Sequence, residues 1–307
     1  MKLVILVPAY NEEENIENTI STIPKKIQGI DEIQILVVDD GSSDKTAEIA
    51  LNSGADKVVT HPRNIGVGAA FMTGVRNAIL MNADIVVTID ADSQFNSDQM
   101  PDLIAPILNN YLDVVIGSRF LKNDPAGIPK IKLFGNKVFS KIVSWLVNQK
   151  LSDSQTGFRA YSKNALFNVS IINDFTYTQE VLIDLKFKGM RIGEVPVSVK
   201  YDEKRKSRVV KSIFSYSTRA LSIILRTLTY HRPILTFGLL GAMLCGVGIV
   251  GKLLTISDVP FMSSELSTGF IILGIVSFMM GIFANVVFKR QAFAEKDMRH
   301  YLNKTDV

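Results

Sequence analysis

Asp90–Ala91–Asp92, followed by Gln94, stands directly after the β-branched run Ile85–Ile89. Two carboxylates one residue apart at a strand end can converge on one hard cation through oxygen ligands. Mg²⁺ or Mn²⁺ bound by Asp90 and Asp92, with Gln94 nearby, would bridge them to a diphosphate and neutralise charge developing there. Asp-x-Asp alone is common in polar turns, so its meaning rests on the groups beside it.

Pro8–Ala9–Tyr10–Asn11–Glu12 closes the first apolar run, and Asp39–Asp40–Gly41–Ser42–Ser43–Asp44–Lys45–Thr46 closes the second. A ring, a proline and acidic groups at adjacent strand ends can hold a nucleobase and ribose by stacking and hydrogen bonding. Asp40–Gly41–Ser42 is equally a turn, with Asp44 as the N-cap of the helix behind it. Asn64–Ile65–Gly66–Val67–Gly68–Ala69–Ala70 then opens a helix whose N-terminus favours an anion. The segment is neither the dinucleotide fingerprint nor a Walker A loop.

These clusters need a scaffold that aims them at one place. Leu3–Val7, Ile35–Val38, Lys57–Val59, Ile85–Ile89 and Val114–Ile116 read as strands buried on both faces. Helices are expected over Glu14–Thr22, Lys45–Asn52, Gly68–Met81 and Gln99–Asn109, with Asp44 and Ser97 capping the second and fourth. Such alternation predicts an α/β fold with a mostly parallel sheet, and ligands bind beyond the carboxyl ends of its strands. From about residue 120 to 200 an α+β continuation is expected, with a helix near Gln179–Lys188 and a strand around Gly193–Val199.

The 307 residues are 47% hydrophobic, and the apolar excess gathers after about residue 233. Ile234–Leu254 and Gly269–Phe288 each have the length and character of a bilayer span. Ahead of them, Lys204–Arg232 holds eight Lys or Arg and no Asp or Glu. That segment suits phosphates or anionic headgroups rather than nucleic acid, and its apolar helical face suits a membrane interface. Arg226, His231 and Arg232 precede the first span and Lys289, Arg290 and Lys296 follow the second, whereas Asp258 and Glu265 lie between them. The positive-inside rule then places the large domain and both termini in the cytoplasm. The single cysteine, Cys245, excludes an intrachain disulfide and a thiolate zinc cluster. The start of the chain reads as a buried strand rather than a secretory signal.

Taken in order, the Pro-x-Tyr-Asn-Glu, Asp-Asp-Gly-Ser-x-Asp-x-Thr, Asn-x-Gly-x-Gly-Ala and Asp-Ala-Asp-x-Gln sets resemble glycosyltransferase family 2, of the GT-A fold. Gly117–Ser118–Arg119, Asp153–Ser154–Gln155–Thr156–Gly157–Phe158–Arg159 and Glu194–Val195–Pro196–Val197 complete the series. The branch it resembles holds the dolichyl-phosphate mannose or glucose synthases and their bacterial polyprenyl-phosphate counterparts, and the likeness covers residues 1–210. The resemblance implies a GT-A domain over 1–207, an amphipathic juxtamembrane helix over 208–232, a two-span hairpin over 233–290 and a cytoplasmic tail over 291–307. It implies inverting transfer of a monosaccharide from a UDP- or GDP-sugar to a dolichyl or undecaprenyl phosphate at the bilayer.

By that resemblance Pro8, Tyr10, Asn11, Glu12, Asp39, Asp40 and Gly66 face the nucleotide-sugar, and Asp90, Asp92 and Gln94 the metal and diphosphate. Arg119 faces the acceptor or the sugar phosphates, or else forms a surface ion pair. Lys130 and Lys132, with Arg205 and Arg208, fall where the family binds the lipid phosphate. Here Tyr201–Arg208 departs from the usual Arg-then-Gly-x-Ser-Lys ending, with Arg208 in place of the Lys. Glu180 either is the base that a hydroxyl acceptor would require or simply begins a helix. A transferase to a glycan or protein hydroxyl and a non-catalytic lipid-binding scaffold are the competing readings, and the Gly-rich spans leave a homo-oligomer open.

Overall fold

The five apolar runs become strands: β1 (Lys2–Ala9), β2 (Glu32–Asp39), β3 (Lys57–Thr60), β4 (Ile85–Thr88) and β5 (Val114–Ser118). This computed structural model describes residues 1–122, 128, 130–170, 177–200, 222, 225–226, 228–230, 232–257 and 262–305, without the side chains of 130–132 and 291–305. Helices α1 (Ile16–Ser21), α2 (Thr46–Asn52), α3 (Val67–Leu80) and α4 (Met100–Leu108) lie between the strands as the periodicity predicts. α5 (Lys130–Val147), β6 (Arg159–Ser162), α6 (Lys163–Asn168), α7 (Thr178–Phe187) and β7 (Ile192–Pro196) follow. The sheet has the order β3-β2-β1-β4-β6-β5-β7. Only β6 among these strands runs antiparallel to its neighbours.

Both faces of the sheet are covered, which is why the strands read as unbroken apolar runs. On one face Leu3, Ile5, Val37, Ile85, Val87, Phe158 and Ala160 pack with Ile16 and Ile20 of α1 and with Leu103 and Ile104 of α4. On the other, α3 approaches so closely that a Cβ on Gly74 would stand 2.2 Å from Leu6 Cδ1.

The caps differ from expectation at both helices. Asp44 accepts from the Thr46 N–H at 3.0 Å, but the N-cap position of α2 is Lys45, which makes no side-chain cap bond, because the helix starts one residue later than the sequence suggests. Ahead of α4 the cap is Asn96, whose side chain accepts from the Asp98 N–H, and not Ser97. A 3₁₀ turn over Ser97–Gln99 precedes the helix and moves the cap upstream, leaving the Ser97 hydroxyl 3.2 Å from Thr22 Oγ1.

Residues Met1–Ser217 form one compact unit and Thr218–Val307 a second. In the second, α8 (Pro233–Ile256) and α9 (Ser264–Thr305) make a helical hairpin. Its two spans have mean hydropathies of 2.2 and 2.4, and only 17% of each most apolar window is buried. A soluble core hairpin would be buried, so surfaces this apolar and uncovered belong to transmembrane helices. The helices meet through small residues: a Cβ on Gly241 would lie 2.6 Å from the Gly274 carbonyl, and one on Gly248 2.6 Å from that of Ser267. The hairpin thus uses these glycines internally. α9 continues unbroken past Arg290.

Asp113 joins the starts of β5 and β7. Arg191 donates to it from its backbone N–H and from Nε, both at 2.9 Å, and holds its carboxyl below the usual range. A depressed carboxylate stabilises the fold above its unfolded value and loses that contribution as pH falls through the folded one. Asp113→Asn is expected to lower stability at pH 7 by about 1 kcal/mol, modest because Arg191 is half exposed. Thermal unfolding in detergent should show the deficit shrink as the pH drops below about 4.

Candidate active site

Three of the chemical clusters converge because β1, β2 and β4 run parallel and end on one edge of the sheet. At the end of β1 Tyr10 is 38% exposed, and Asn11 takes a left-handed backbone, φ 53°. The Asn11 N–H donates to Ser42 Oγ at 2.9 Å, and the Glu12 N–H to Thr46 Oγ1 at 2.8 Å. These bonds tie the loop after β1 to the loop after β2. Asp39 accepts from the backbone and hydroxyl of Ser42.

Asp40 turns inward. It accepts from the N–H groups of Ile65 (3.1 Å) and Gly66 (2.8 Å) and from His61 Nδ1 (2.7 Å), and His61 Nε2 lies 2.9 Å from Thr73 Oγ1. Gly66, at φ 109°, is thereby fixed at the entry to α3. Gly41 permits the arrangement, since a Cβ there would stand 2.3 Å from the Arg63 carbonyl carbon. Sequence reasoning missed His61; its position just past β3, level with the other strand ends, is the signal that could have shown it.

Asp90 and Asp92 follow β4, and the Gln94 N–H donates to Asp92 Oδ1 at 3.2 Å. Asp90 presses against Gly157, where a Cβ would fall 2.4 Å from its Oδ1. Burial, and then the charge of Asp92, push its carboxyl up to about 7, Glu12 adds to this, and Arg119 and Arg159 oppose it. A water-poor carboxylate beside a second one is the donor set that a hard divalent cation relieves, so the residues present fit Mg²⁺ or Mn²⁺. Among the described residues no group of three His, Cys, Asp or Glu forms a cage. Two carboxylates suffice where substrate oxygens complete the coordination.

Arg119, at the end of β5, grips the fully buried Asp153 through Nε at 2.6 Å and Nη2 at 2.9 Å. Burial would raise the Asp153 carboxyl, but Arg119, with Asn136, holds it below the usual range. The ion pair is therefore an interior one at the site's edge. Arg159, assigned no role from sequence, lies wholly buried opposite Thr88. It donates to the carbonyls of Thr178 (2.6 Å) and Ser154 (2.9 Å). Tyr177, stacked on Phe71 at 4.0 Å, lies on the same side.

Glu180 occupies the first turn of α7 and is only 4% exposed. Lys130 and Lys132 open α5, with their side chains outside the description, and Arg205 and Arg208 lie outside the described residues.

The glycosyl transferase family 2 model matches residues 4–173. The UDP-N-acetylglucosamine–dolichyl-phosphate N-acetylglucosaminyltransferase of Methanococcus voltae is 35% identical over 222 residues, 66% of this chain and 86% of that one. A dolichyl-phosphate hexose transferase of Haloferax volcanii is 31% identical over 196 residues, 64% and 81% of the two chains. Among solved structures, glucosyl-3-phosphoglycerate synthase from Mycobacterium tuberculosis with Mn²⁺, UDP and product superposes with a TM-score of 0.57. It is 23% identical, and the match covers 75% of this chain and 79% of that one, a likeness of fold. The strand order and the acidic pair define a GT-A glycosyltransferase. The chain belongs to glycosyl transferase family 2, and within it to the branch of the dolichyl- and polyprenyl-phosphate enzymes.

Gly157 tests the placement of Asp90 without altering any functional group. Gly157→Ala is expected to leave the circular dichroism spectrum unchanged while displacing the Asp90 carboxylate. Misplacement on this scale should lower kcat/KM for sugar transfer by about a hundredfold.

Proposed function

We propose that this enzyme moves one monosaccharide from a nucleotide-sugar to a polyprenyl phosphate at the cytoplasmic face of the membrane, with inversion at the anomeric carbon. The observation that carries the reading is an Asp90–Asp92 pair suited to a divalent cation, on a chain that also has two membrane spans. The activities of the relatives support a lipid-phosphate acceptor, and the Mn²⁺ and UDP of the solved neighbour support a metal-bound diphosphate.

Tyr10, Asn11, Glu12 and Asp39, with Pro8 behind them, face the nucleoside in this reading, and Asp40 shapes the loop that carries Gly66. Mg²⁺ or Mn²⁺ held by Asp90 and Asp92, near Gln94, supplies charge neutralisation for the diphosphate. A lipid phosphate, with a second pKa of about 6, is ionised near neutrality and attacks without a protein base. Its oxygen forms the new bond to the anomeric carbon as the bond to the nucleoside diphosphate breaks. Glu180, buried in α7, takes no part in this path. Arg119, held by Asp153, presents a fixed positive charge near Asp90.

The test uses membranes containing the protein, polyprenyl phosphate, Mg²⁺ or Mn²⁺ and a panel of labelled UDP- and GDP-sugars. Label should enter the lipid phase with one donor and fall at least about a hundredfold in Asp92→Ala. Glu180→Gln should retain most of the transfer. Labelling of a hydroxyl acceptor in place of lipid, abolished by Glu180→Gln, would overturn the assignment.

A further inference from the structure

Glu194 lies midway along β7, opposite Ile116 in the parallel pairing with β5. The reaction path leaves its side chain without a role. Its carboxylate accepts from the Ser152 N–H at 2.9 Å, from the Asp153 N–H at 3.0 Å and from the Ser152 hydroxyl at 2.9 Å. Two successive backbone donors and a hydroxyl thus converge on one half-buried side chain. Hydrogen bonds to an ionised acceptor are about twice as strong as neutral ones. The turn at 152–153 therefore takes its position from β7.

The direction of the neighbouring bonds follows. A carboxylate only accepts, so the Ser152 hydroxyl donates to Glu194 and its single proton is used. At 2.6 Å the Ser118 hydroxyl must then donate to Ser152 Oγ. Ser118 Oγ in turn accepts from the Phe120 N–H at 3.2 Å. This chain of bonds runs from Phe120 through Ser118 and Ser152 to Glu194, and brackets Arg119 on both sides. Arg119 reaches the same anchor by a second path. Its backbone N–H (3.2 Å) and Nε (2.6 Å) both donate to Asp153 Oδ2, and the Asp153 N–H is held by Glu194.

We propose that Glu194 is a positioning residue for sugar transfer, fixing Arg119 at the rim of the site through Ser118, Ser152 and Asp153. The inference rests on the reading in which Arg119 supplies positive charge near Asp90. Among the described residues nothing else accepts from the Ser152 and Asp153 N–H groups. Removing the carboxylate frees both donors at once, and Asp153 can then shift with its arginine. The flanking Leu151 and Ser154 N–H groups stay bound to Ser144 and Ser140 of α5, so the segment keeps its fold while its middle relaxes. Glu194 touches no reacting atom and acts only through Arg119. That gives it a kinetic signature which a general loss of stability does not share.

A double-mutant cycle with Arg119, run on the full-length protein in membranes, tests this. Turnover is followed as release of nucleoside diphosphate, and label entering the lipid phase is counted separately. Glu194→Ala should lower kcat about thirtyfold. The donor KM should stay within about twofold, because the nucleoside loops hang from β1 and β2. Arg119→Ala alone should lose at least as much. In the Arg119→Ala background the same change at Glu194 should cost less than about threefold. Glu194→Asp, whose shorter side chain reaches fewer of these donors, should show the same non-additivity at a smaller loss, so the cycle closes even where alanine unfolds the chain. Losses that multiply in the double variant would overturn the proposal, as would full activity in Glu194→Ala or a rise in donor KM alone. A coupled cycle on diphosphate release, with no label in lipid, would uphold the positioning role and overturn the acceptor assignment.

Discussion

Asp90 stands at a strand end, short of water and one residue from the charge of Asp92, and so resists ionisation. Much of this site answers that constraint. Arg119 and Arg159 place fixed positive charge around Asp90, and Gly157 removes the side chain that would displace it. Each arginine is in turn immobilised, Arg119 by Asp153 and Arg159 by the carbonyls of Thr178 and Ser154. The residual negative charge suits a divalent cation and the diphosphate that such a cation accompanies.

Charge held so closely requires loops that do not drift. The loops after β1, β2 and β3 are cross-linked by side chains whose local role is bonding to backbone: Ser42, Thr46 and Asp40. Asp153 belongs to the same class, accepting from Arg119 and Asn136 so that β5 and α5 share one anchor. The polar residues at the site's rim therefore serve placement as much as binding, which is how a site on loops gains the rigidity of a sheet.

Much of this was legible in the residues. Strands covered on both faces must be apolar throughout, so β1, β2, β4 and β5 stand out as runs. β6 did not, because it begins with Arg159, a charged side chain whose interior place depends on distant carbonyls, and so breaks the apolar run. α5 escaped notice because its inner face carries Asn136, Ser140 and Ser144, hydrogen-bonded to the 151–154 segment, while its outer face carries Phe134 and Trp145. The usual inside–outside pattern is thereby inverted at several positions. The cap before α4 moved by one residue because a 3₁₀ turn and an α-turn share the same composition.

The sequence by itself determined the parallel α/β frame, the acidic pair at a strand end and the two spans, because each follows from local periodicity, spacing or length. Tertiary structure alone decided that Asp40 bonds to the Ile65–Gly66 backbone, that Arg119 pairs with Asp153, and that Arg159 lies buried opposite Thr88, where its charge acts on Asp90. Those relations join residues far apart along the chain, and only the folded sheet sets the distances and the loss of water that give them their energies.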